Sequence, residues 1–189
     1  MNAPTERNAQ RGVSRFTVII LASIGAIILL GLLGIYLFTP RLDIVRKRAN
    51  ESEARLDVQI LGTGQADYSF TFGDGGYARD LASLGPDTYI SGKCVQGRTP
   101  AHACMISADL GNSTCTGTSW CARGGYKFNV QGICANGKCA DYVISATPTD
   151  VLSGSKNFCS TSDNTVHSET AAPRSAPFSL KECQTLPAM

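Results

Sequence analysis

The stretch VSRFTVIILASIGAIILLGLLGIYLFTP, residues 13–40, contains no charged residue from Phe16 to Phe38. These 23 residues would form a helix about 35 Å long, enough to cross the roughly 30 Å hydrocarbon core of a bilayer with some tilt. A cleaved secretory signal has a shorter apolar region followed by small residues, whereas this run ends in the bulky Tyr36-Leu37-Phe38. The stretch therefore predicts an uncleaved transmembrane helix over residues 16–38, with Tyr36 in the interfacial belt.

The cysteines indicate where the rest of the chain lies. All eight fall between Cys94 and Cys183, on the C-terminal side of the apolar run. An even number of cysteines in one segment is typical of disulfides formed in an oxidising compartment. The alternative is a reduced metal site. It is less favoured, because the sequence has no C-x-x-C pair and offers only His102 and His167 as imidazole ligands. We therefore expect four disulfides and no metal or other cofactor.

The charges that flank the apolar run conflict with this placement. Basic residues stand on both sides of it: Arg7, Arg11 and Arg15 before, and Arg41, Arg46, Lys47 and Arg48 after. A plain count would put the C-terminal side in the cytoplasm. Long domains, however, are translocated largely regardless of flanking charge, and the cysteines need an oxidising space. We expect residues 1–15 to be a cytoplasmic leader and residues 41–189 to lie outside.

Beyond Pro40 the sequence becomes amphipathic. Apolar and small residues recur at helical spacing: Leu42, Val45, Ala49, Ser52, Leu56 and Ile60. The pattern predicts an amphipathic helical stem over residues 39–72, with Tyr68 and Phe72 continuing the same stripe. Pro40 would either begin a new helix or kink a continuous one. The run Gly73-Asp74-Gly75-Gly76 should end the helix, and a short helix is expected over residues 78–84.

Two sets of residues are candidates for packing against another helix. In the apolar run, Gly25, Gly31 and Gly34 would allow close approach, although glycine is also simply common in membrane helices. In the stem, Leu42, Val45, Leu56 and Ile60 form an apolar stripe. This stripe is equally explained by packing on the protein's own sheet, and both explanations stay open because one helix has several faces.

The segment Cys134-Ala135-Asn136-Gly137-Lys138-Cys139 predicts a β-hairpin, since Asn-Gly is a strong signal for a two-residue turn. Cys134 then faces Cys139 in a non-hydrogen-bonded pair with Cα atoms about 4.5 Å apart, within disulfide range. The same register puts the apolar residues of the strands at 126–130 and 142–146 on opposite faces. One inserted residue would correct this, and we expect the bulge at Gly132.

The remaining segments complete a small domain. Strands around residues 157–161 and 165–169, joined by a turn at Asp163-Asn164, would extend the hairpin into an antiparallel meander. Residues 86–124 predict a long loop region, and residues 170–189 a coil tail. Proximity in the chain suggests three further disulfides: Cys94–Cys104, Cys115–Cys121 and Cys159–Cys183. The predicted fold is α+β, with a long N-terminal helix, transmembrane and then amphipathic, packed on a small antiparallel sheet with disulfide-rich loops.

This order of elements resembles the type IV pilin and type II secretion pseudopilin family. The similar residues are Arg15-Phe16-Thr17-Val18-Ile19 at the helix start, the tyrosine, glycine-tyrosine and leucine pattern of residues 68–85, and the strands at 125–128 and 141–148. The resemblance covers residues 15–169, with a gap across 86–124. It implies a helix that runs through Gly62 and Gly64 and a pilin-like head over residues 73–169. It also implies a location in the bacterial inner membrane, with the head in the periplasm or on the cell surface.

Two departures from that family occur together. The family is cut between a glycine and the phenylalanine, whereas Arg15 precedes Phe16 here and the nearest upstream glycine is Gly12. The family's glutamate, five residues into the mature helix, corresponds to Ile20. In that family, the carboxylate neutralises the terminal amine that cleavage creates on a neighbouring subunit of the filament. A buried ammonium without such a partner would be energetically costly. Without a cut there is no such amine, so we expect either an uncleaved protein or a divergent processing route.

The sequence bears on three classes of function. The favoured hypothesis is a pilin-like subunit that contacts other such subunits through its N-terminal helix. The alternative is an uncleaved, single-pass, disulfide-stapled binding module that uses residues 86–124, with Trp120 as a contact unless it packs on a disulfide. An enzyme is not expected, because His102, Ser107 and Asp109 form no recognisable motif.

Two kinds of ligand are not supported by the sequence. Calcium could bind carboxylates, but no spaced loop of oxygen ligands connects the candidates Asp74, Asp80, Asp109 and Asp163. Nucleic acid is not an expected partner, since the net charge is only +2 and no basic cluster is interleaved with aromatic residues. The expected partners are the membrane and other subunits.

Overall fold

The computed structural model describes residues 15–87, 89–90, 93–94, 97–117 and 119–189, so the predicted leader lies outside the described residues except for Arg15. The helices are α1 (Arg15–Thr71), α2 (Leu81–Leu84) and α3 (Leu180–Thr185). The strands are β1 (Tyr89–Ile90), β2 (Lys93–Cys94), β3 (Cys121–Arg123), β4 (Tyr126–Ala135), β5 (Lys138–Pro148), β6 (Lys156–Thr161) and β7 (Val166–Thr170). The chain divides into two units, Met1–Asp43 and Ile44–Met189. The α+β class and the antiparallel sheet agree with the sequence prediction, although the sheet has five strands instead of the four predicted.

The first unit contains the apolar part of α1. Its segment Val18–Ile35 is long and apolar enough to cross a membrane, and it is the one such segment in the described part of the chain. Its large side chains are exposed, as at Ile27 and Leu29, each 70% exposed. Exposure of this many aliphatic side chains in water would be strongly unfavourable, which fits a segment solvated by lipid.

The second unit is built on an antiparallel meander. Strands β3 to β7 pair in chain order, so each strand is hydrogen-bonded to its neighbours in sequence. Strands β4 to β7 are those predicted, and β3 is an additional edge strand that pairs Cys121 with Phe128. One inserted residue does occur in the β4–β5 hairpin, but not at the predicted Gly132. The register shifts between Ile133 and Cys134, which leaves Ala140 of β5 as the extra residue.

Gly132 is needed for a different purpose. A Cβ at this position would lie 2.9 Å from both Arg79 Cα and Cys139 Sγ. Its own N–H donates to the Arg79 carbonyl at 2.7 Å. The chain after α1 therefore crosses the sheet directly over Gly132, and only a residue without a side chain permits this approach.

The core of the second unit lies between α1 and the inner face of the sheet. From α1 come Ala54, Val58, Leu61 and Tyr68, and from the sheet Tyr126, Phe128, Val130, Tyr142, Ile144 and Phe158, all buried in one cluster. The helix residues recur at i, i+4 and i+7, which is one face of an α-helix. This buried face is not the stripe that the sequence predicted, because Leu56 and Ile60 of that stripe are 56% and 48% exposed. Tyr68 was expected to continue the stripe but lies on the buried face.

Helix α1 runs through both glycines, as the family resemblance implied, and ends at Thr71. Asp74 and Gly75 then adopt positive φ angles of 46° and 76°, which turns the chain back. The short helix that follows is smaller than predicted. It covers Leu81–Leu84, and Asp80 caps it by accepting a hydrogen bond from the Ser83 N–H at 2.9 Å.

The C-terminal tail is not the coil that its prolines suggested. Helix α3 begins at a capping box in which the Ser179 and Glu182 side chains bond each other's backbone N–H groups. Phe178 and Cys183 pack with Val143 and Cys159 in a second buried cluster on the outer face of the sheet. Because both faces of β5 are covered, its last seven residues are all buried, which explains their poor alternation in sequence.

The disulfides on the two sides of the domain should differ in their effect on stability. Removing Cys159–Cys183, which closes a separation of 24 residues and is fully buried, should cost about 3.5 kcal/mol by chain entropy. Removing Cys134–Cys139, with a separation of 5, should cost about 2 kcal/mol. Denaturant unfolding of the two double Cys→Ala variants, in detergent, measures both. Equal costs, or the reverse order, would contradict this account.

Candidate functional site

In the second unit, α1 carries a second apolar face that none of the described residues covers. We call Val45, Leu56, Ile60 and Phe70 the exposed face; they are 63%, 56%, 48% and 89% exposed. At about 100° per residue, these four positions fall within a sector of roughly 80°. The buried residues fall within a similar sector centred about 180° away. The predicted stripe is therefore one coherent face, but it lies opposite the core.

A shallow groove of about 360 Å³ runs along the exposed face. The groove is lined by Leu56, Gln59, Ile60, Thr63, Gly64, Asp67 and Met105. Gly64 permits this arrangement, because a Cβ there would lie 3.0 Å from Ile106 Cγ2. The loop that carries Met105 can therefore lie close beside the helix. Met105 is flexible and polarisable, which suits it to the wall of a surface that receives apolar side chains.

A charged cluster joins α1 to the edge strand β3. The Arg123 guanidinium lies 3.1 Å from Asp57 Oδ1, 3.3 Å from Asp109 Oδ2 and 4.0 Å from Glu53 Oε1. Asp57 is only 3% exposed, and its Oδ2 has no hydrogen-bond partner among the described residues. Burial raises the pKa of the Asp57 carboxyl to about 6, although the nearby Arg123 opposes the shift. A hydrogen bond from Ser107 lowers the pKa of Asp109, and Arg123 adds to this effect.

Polar contacts fix α1 further along the same side. Asn50 Nδ2 donates to the Ser153 carbonyl at 2.8 Å. Glu51 Oε1 accepts bonds from the Ser155 N–H at 2.8 Å and its hydroxyl at 2.7 Å. These side chains reach the connection between β5 and β6. The rotation of the helix about its axis is therefore set by directional bonds as well as by the core, which keeps the exposed face outward.

The structure brings together the cysteine pairs that the sequence suggested. Cys134 and Cys139 are bonded, with Cα atoms 3.7 Å apart. The other pairs are Cys94–Cys104, Cys115–Cys121 and Cys159–Cys183, with Cα separations of 6.5, 5.8 and 5.8 Å. Disulfides are typical of proteins in oxidising compartments, which supports an extracytoplasmic position for the second unit.

Both histidines anchor backbone segments. His102 Nδ1 lies 3.2 Å from the Ala82 carbonyl, and its Nε2 lies 3.8 Å from Asp87 Oδ1. His167 Nδ1 lies 2.8 Å from the Leu186 carbonyl, and its Nε2 lies 3.8 Å from Asp163 Oδ2. Each ring holds a loop or tail segment against its neighbour. Ser107, the candidate between His102 and Asp109 in the sequence, hydrogen-bonds the Asp109 carboxylate.

The carboxylates considered for calcium have separate local partners. Asp80 caps α2, Asp109 contacts Arg123, and Asp163 Oδ1 accepts a bond from the Thr165 N–H at 3.0 Å. Asp74 lies in the turn after α1, where its carbonyl accepts a bond from Lys138. Within the described ranges, no group of three or more His, Cys, Asp or Glu residues is placed to hold a metal ion.

Trp120, the candidate ligand contact, is half-buried. Its Nε1–H donates to the Ser175 carbonyl at 3.3 Å, and the Lys127 ammonium lies 5.1 Å from the ring centre. The ring therefore links the start of β3 to the C-terminal tail. In the first unit, a Cβ built on Gly25, Gly31 or Gly34 would meet no other described atom within 4 Å.

No protein-family model, curated protein or solved structure matches this chain.

Replacement of Asp57 should change how stability depends on pH. The pKa of Asp57 in the folded state is raised from 3.8 to about 6, so the folded protein holds this proton more tightly than the unfolded chain does. The contribution of Asp57 to the free energy of unfolding is therefore fully present below about pH 4 and is lost as the pH rises through 6. The loss amounts to no more than about 3 kcal/mol. Denaturant unfolding between pH 4 and pH 8 should show this slope in the wild type and a flatter profile in Asp57→Asn. Asp67→Asn, on the exposed side of α1, is the matched control. If the free energy of unfolding depends on pH equally in the wild type and in Asp57→Asn, titration of Asp57 does not cause the slope.

Adjacent residues on α1 should differ sharply in their contribution to folding. Leu61→Ala removes a fully buried side chain and should lower the free energy of unfolding by about 2–5 kcal/mol. Ile60→Ala, on the exposed face, should change it by no more than about 0.5 kcal/mol. Urea unfolding of the two variants measures the difference. A cost for Ile60→Ala that approaches that of Leu61→Ala would mean that the exposed face is buried within the monomer.

Proposed function

We propose that this protein is a pilin-like or pseudopilin-like structural subunit of a type IV pilus or type II secretion filament, anchored in the bacterial inner membrane. In this proposal the N-terminal helix serves as the assembly element and the disulfide-bonded head faces the periplasm or the cell surface. The role is structural and not catalytic. The observation that supports it best is the exposed face of α1, directly opposite the face that the head buries.

The physical argument concerns what an isolated subunit leaves in contact with water. Burying one large aliphatic or aromatic side chain contributes about 1.5–3 kcal/mol. The exposed face holds Leu56, Ile60 and Phe70 on a helix that the core and the polar contacts hold in place. It cannot rotate to hide them without breaking those contacts. Large apolar side chains gathered on one exposed helix face favour an interaction site, and we propose that another helix occupies it.

The apolar run supports the same proposal from the first unit. Lipid tails are as apolar as leucine, so helices associate within a bilayer by close packing at small residues. Gly25, Gly31 and Gly34 leave open space beside the helix. Leu42, which is 65% exposed, is a further candidate contact at the end of this unit.

The residues at the helix start bear on processing. Arg15 stands where the related subunits have a glycine, and Ile20 where they have a glutamate. We propose that the chain keeps its leader or is processed by a divergent route. In either case no standard cut creates a buried terminal amine that would need a carboxylate.

Cross-linking in membranes tests the assembly surface. Ile60→Cys should give cross-linked oligomers with a bifunctional thiol reagent, because two copies would meet along the exposed face. Val151→Cys, which is 63% exposed in the connection between β5 and β6, is the control and should remain mostly monomeric. Adding Leu56→Glu to Ile60→Cys should suppress the oligomers, since the carboxylate would have to enter an apolar contact.

The same preparation distinguishes the alternative function. The N-terminal residue of the membrane-extracted protein should be determined together with its oligomeric state. An intact Met1, only monomers, and no cross-linking from Ile60→Cys would identify a single-pass anchored binding module and reject the filament subunit. Oligomers with either an intact or a processed terminus would support the subunit.

A further inference from the structure

The exposed face of α1 has charged residues of opposite sign along its two sides. At about 100° per residue, Arg48 lies about 80° to one side of the centre of that face, and Glu53 lies about 60° to the other. Arg55 follows Arg48 by seven residues and lies on the same side, about two turns further along. All three side chains are exposed. We call the side with Arg48 and Arg55 the cationic border and the side with Glu53 the anionic border.

The anionic border holds more carboxylates than its cation can neutralise. Glu53 lies 4.0 Å from the Arg123 guanidinium, which also pairs with Asp57 and Asp109 at shorter distances. Three carboxylates therefore share one guanidinium. Glu53 is the most distant of them, and its side chain is 50% exposed. A cation from another molecule can reach it without entering the core.

One further cation lies on the anionic border, about two turns before Glu53. This residue is Arg46, and Asp150 offsets part of its charge. The pKa of the Asp150 carboxyl is lowered, chiefly by a bond from the Leu152 N–H and also by Arg46. The surface around Glu53 is therefore still acidic.

The cationic border has no such compensation. Among the described residues, neither Arg48 nor Arg55 forms an ion pair. Glu51 and Met189 line the surface beside the two arginines. The Glu51 Oε1 already accepts two bonds from Ser155, and Met189 forms no ion pair in the described part of the chain. The two guanidinium groups can therefore pair with a carboxylate from outside.

This order of charges makes the face complementary to itself in one orientation. When two identical helices pack face to face and run parallel, each border meets the opposite border of the other copy. When they run antiparallel, each border meets its own equivalent, so that like charges face each other. In coiled coils, charged residues that flank the apolar seam in this way set the choice of partner and the orientation.

The heights of the charged residues along α1 also fit a parallel pair without stagger. Arg48 and Glu53 are five residues apart, about 7.5 Å along the helix axis, and Glu53 and Arg55 are about 3 Å apart. The long side chains of arginine and glutamate span these offsets. A second copy supplies both borders at matching heights, whereas a different helix would have to carry the same order of charges.

We propose that two copies of this chain pack in parallel along their exposed faces, with Arg48 and Arg55 of one copy paired with Glu53 of the other. This inference rests on the assembly surface of the proposed function, and it names the partner and the contacts that align it. The apolar side chains of the face supply the contact area. The charged borders select the orientation and the register.

Two charge variants of the full chain in membranes, each carrying Ile60→Cys, test this pairing. The acidic variant, Arg48→Glu/Arg55→Glu, has two acidic borders, and the basic variant, Glu53→Lys, has two basic ones. Each expressed alone should give at least about fivefold less cross-linked oligomer than Ile60→Cys, because both contacts of a pair change from attraction to repulsion. The two variants expressed together with different affinity tags should restore cross-linking between unlike copies. An unfolded variant could not give this recovery.

A matched control and a change of salt complete the experiment. Arg79→Glu/Lys181→Glu makes the same change of charge at exposed positions elsewhere in the second unit, and it should cross-link as well as Ile60→Cys alone. Sodium chloride at about 0.5 M screens charges separated by more than about 4 Å. It should lower the cross-linking of Ile60→Cys by at least about twofold and raise that of the acidic variant.

The outcomes distinguish this inference from the proposed function. If both charge variants cross-link as well as Ile60→Cys alone, the charge pairing is wrong and the filament subunit remains supported. The charge pairing is also wrong if the mixture of variants recovers nothing, or if salt leaves the cross-linking of Ile60→Cys unchanged. If Ile60→Cys itself gives no oligomers, the exposed face is not an assembly surface and both proposals fail.

Discussion

The burial of one face of α1 against the sheet is the interaction on which the second unit depends. Ala54, Val58 and Leu61 meet the aromatic and aliphatic side chains of β4, β5 and β6 in a single cluster. A sheet of this size has one inner face to cover, and a helix can cover it with only one side. Once that side is chosen, every other side chain of the helix has a fixed direction. The exposed apolar face and the charged cluster both follow from this rotation.

The charged cluster contains a carboxylate that the fixed rotation of α1 forces into a buried position. Asp57 lies at the margin of the core, where loss of water penalises its ionised form. Arg123 offsets part of that penalty and in turn contacts Asp109, so the helix, the edge strand and the loop before it are joined. Breaking a buried ion pair from one side leaves an uncompensated charge, which is far more costly than the pair is stabilising. Such a contact therefore specifies one arrangement of the helix more than it adds to stability.

The outer face of the sheet is closed by the C-terminal tail and not by a second layer of helices. Phe178 N–H donates to Ser145 Oγ at 3.0 Å, and the Arg174 N–H donates to Thr147 Oγ1 at 2.8 Å. The Cys159–Cys183 disulfide joins the tail to β6 beneath this cover. With the sheet covered on both faces, α1 is the element of the second unit that presents a large apolar surface outward. This is why the proposed assembly function is placed on the helix and not on the sheet.

The sequence by itself determined the elements whose signals are local. The uncharged run from Phe16, the Asn136-Gly137 turn and the alternation in β4 each depend on neighbours within a few residues, and each predicted its element correctly. The spacing of the cysteines suggested pairs that the structure also forms. The capping box at Ser179 and Glu182 is an equally local signal for α3, and the prediction of a coil tail, which rested on the surrounding prolines, missed it.

Only the tertiary structure decided which face of α1 is buried. The sequence of the stem contains two apolar stripes on opposite sides of one helix, and periodicity shows that both exist without showing which one meets the sheet. The bulge was wrongly predicted at Gly132 for a similar reason, because either strand could supply the extra residue. In the structure Gly132 stays paired with Tyr142 beneath the crossing at Arg79, and Ala140 of β5 is the inserted residue. These choices depend on contacts between residues far apart in the chain, which no local pattern encodes.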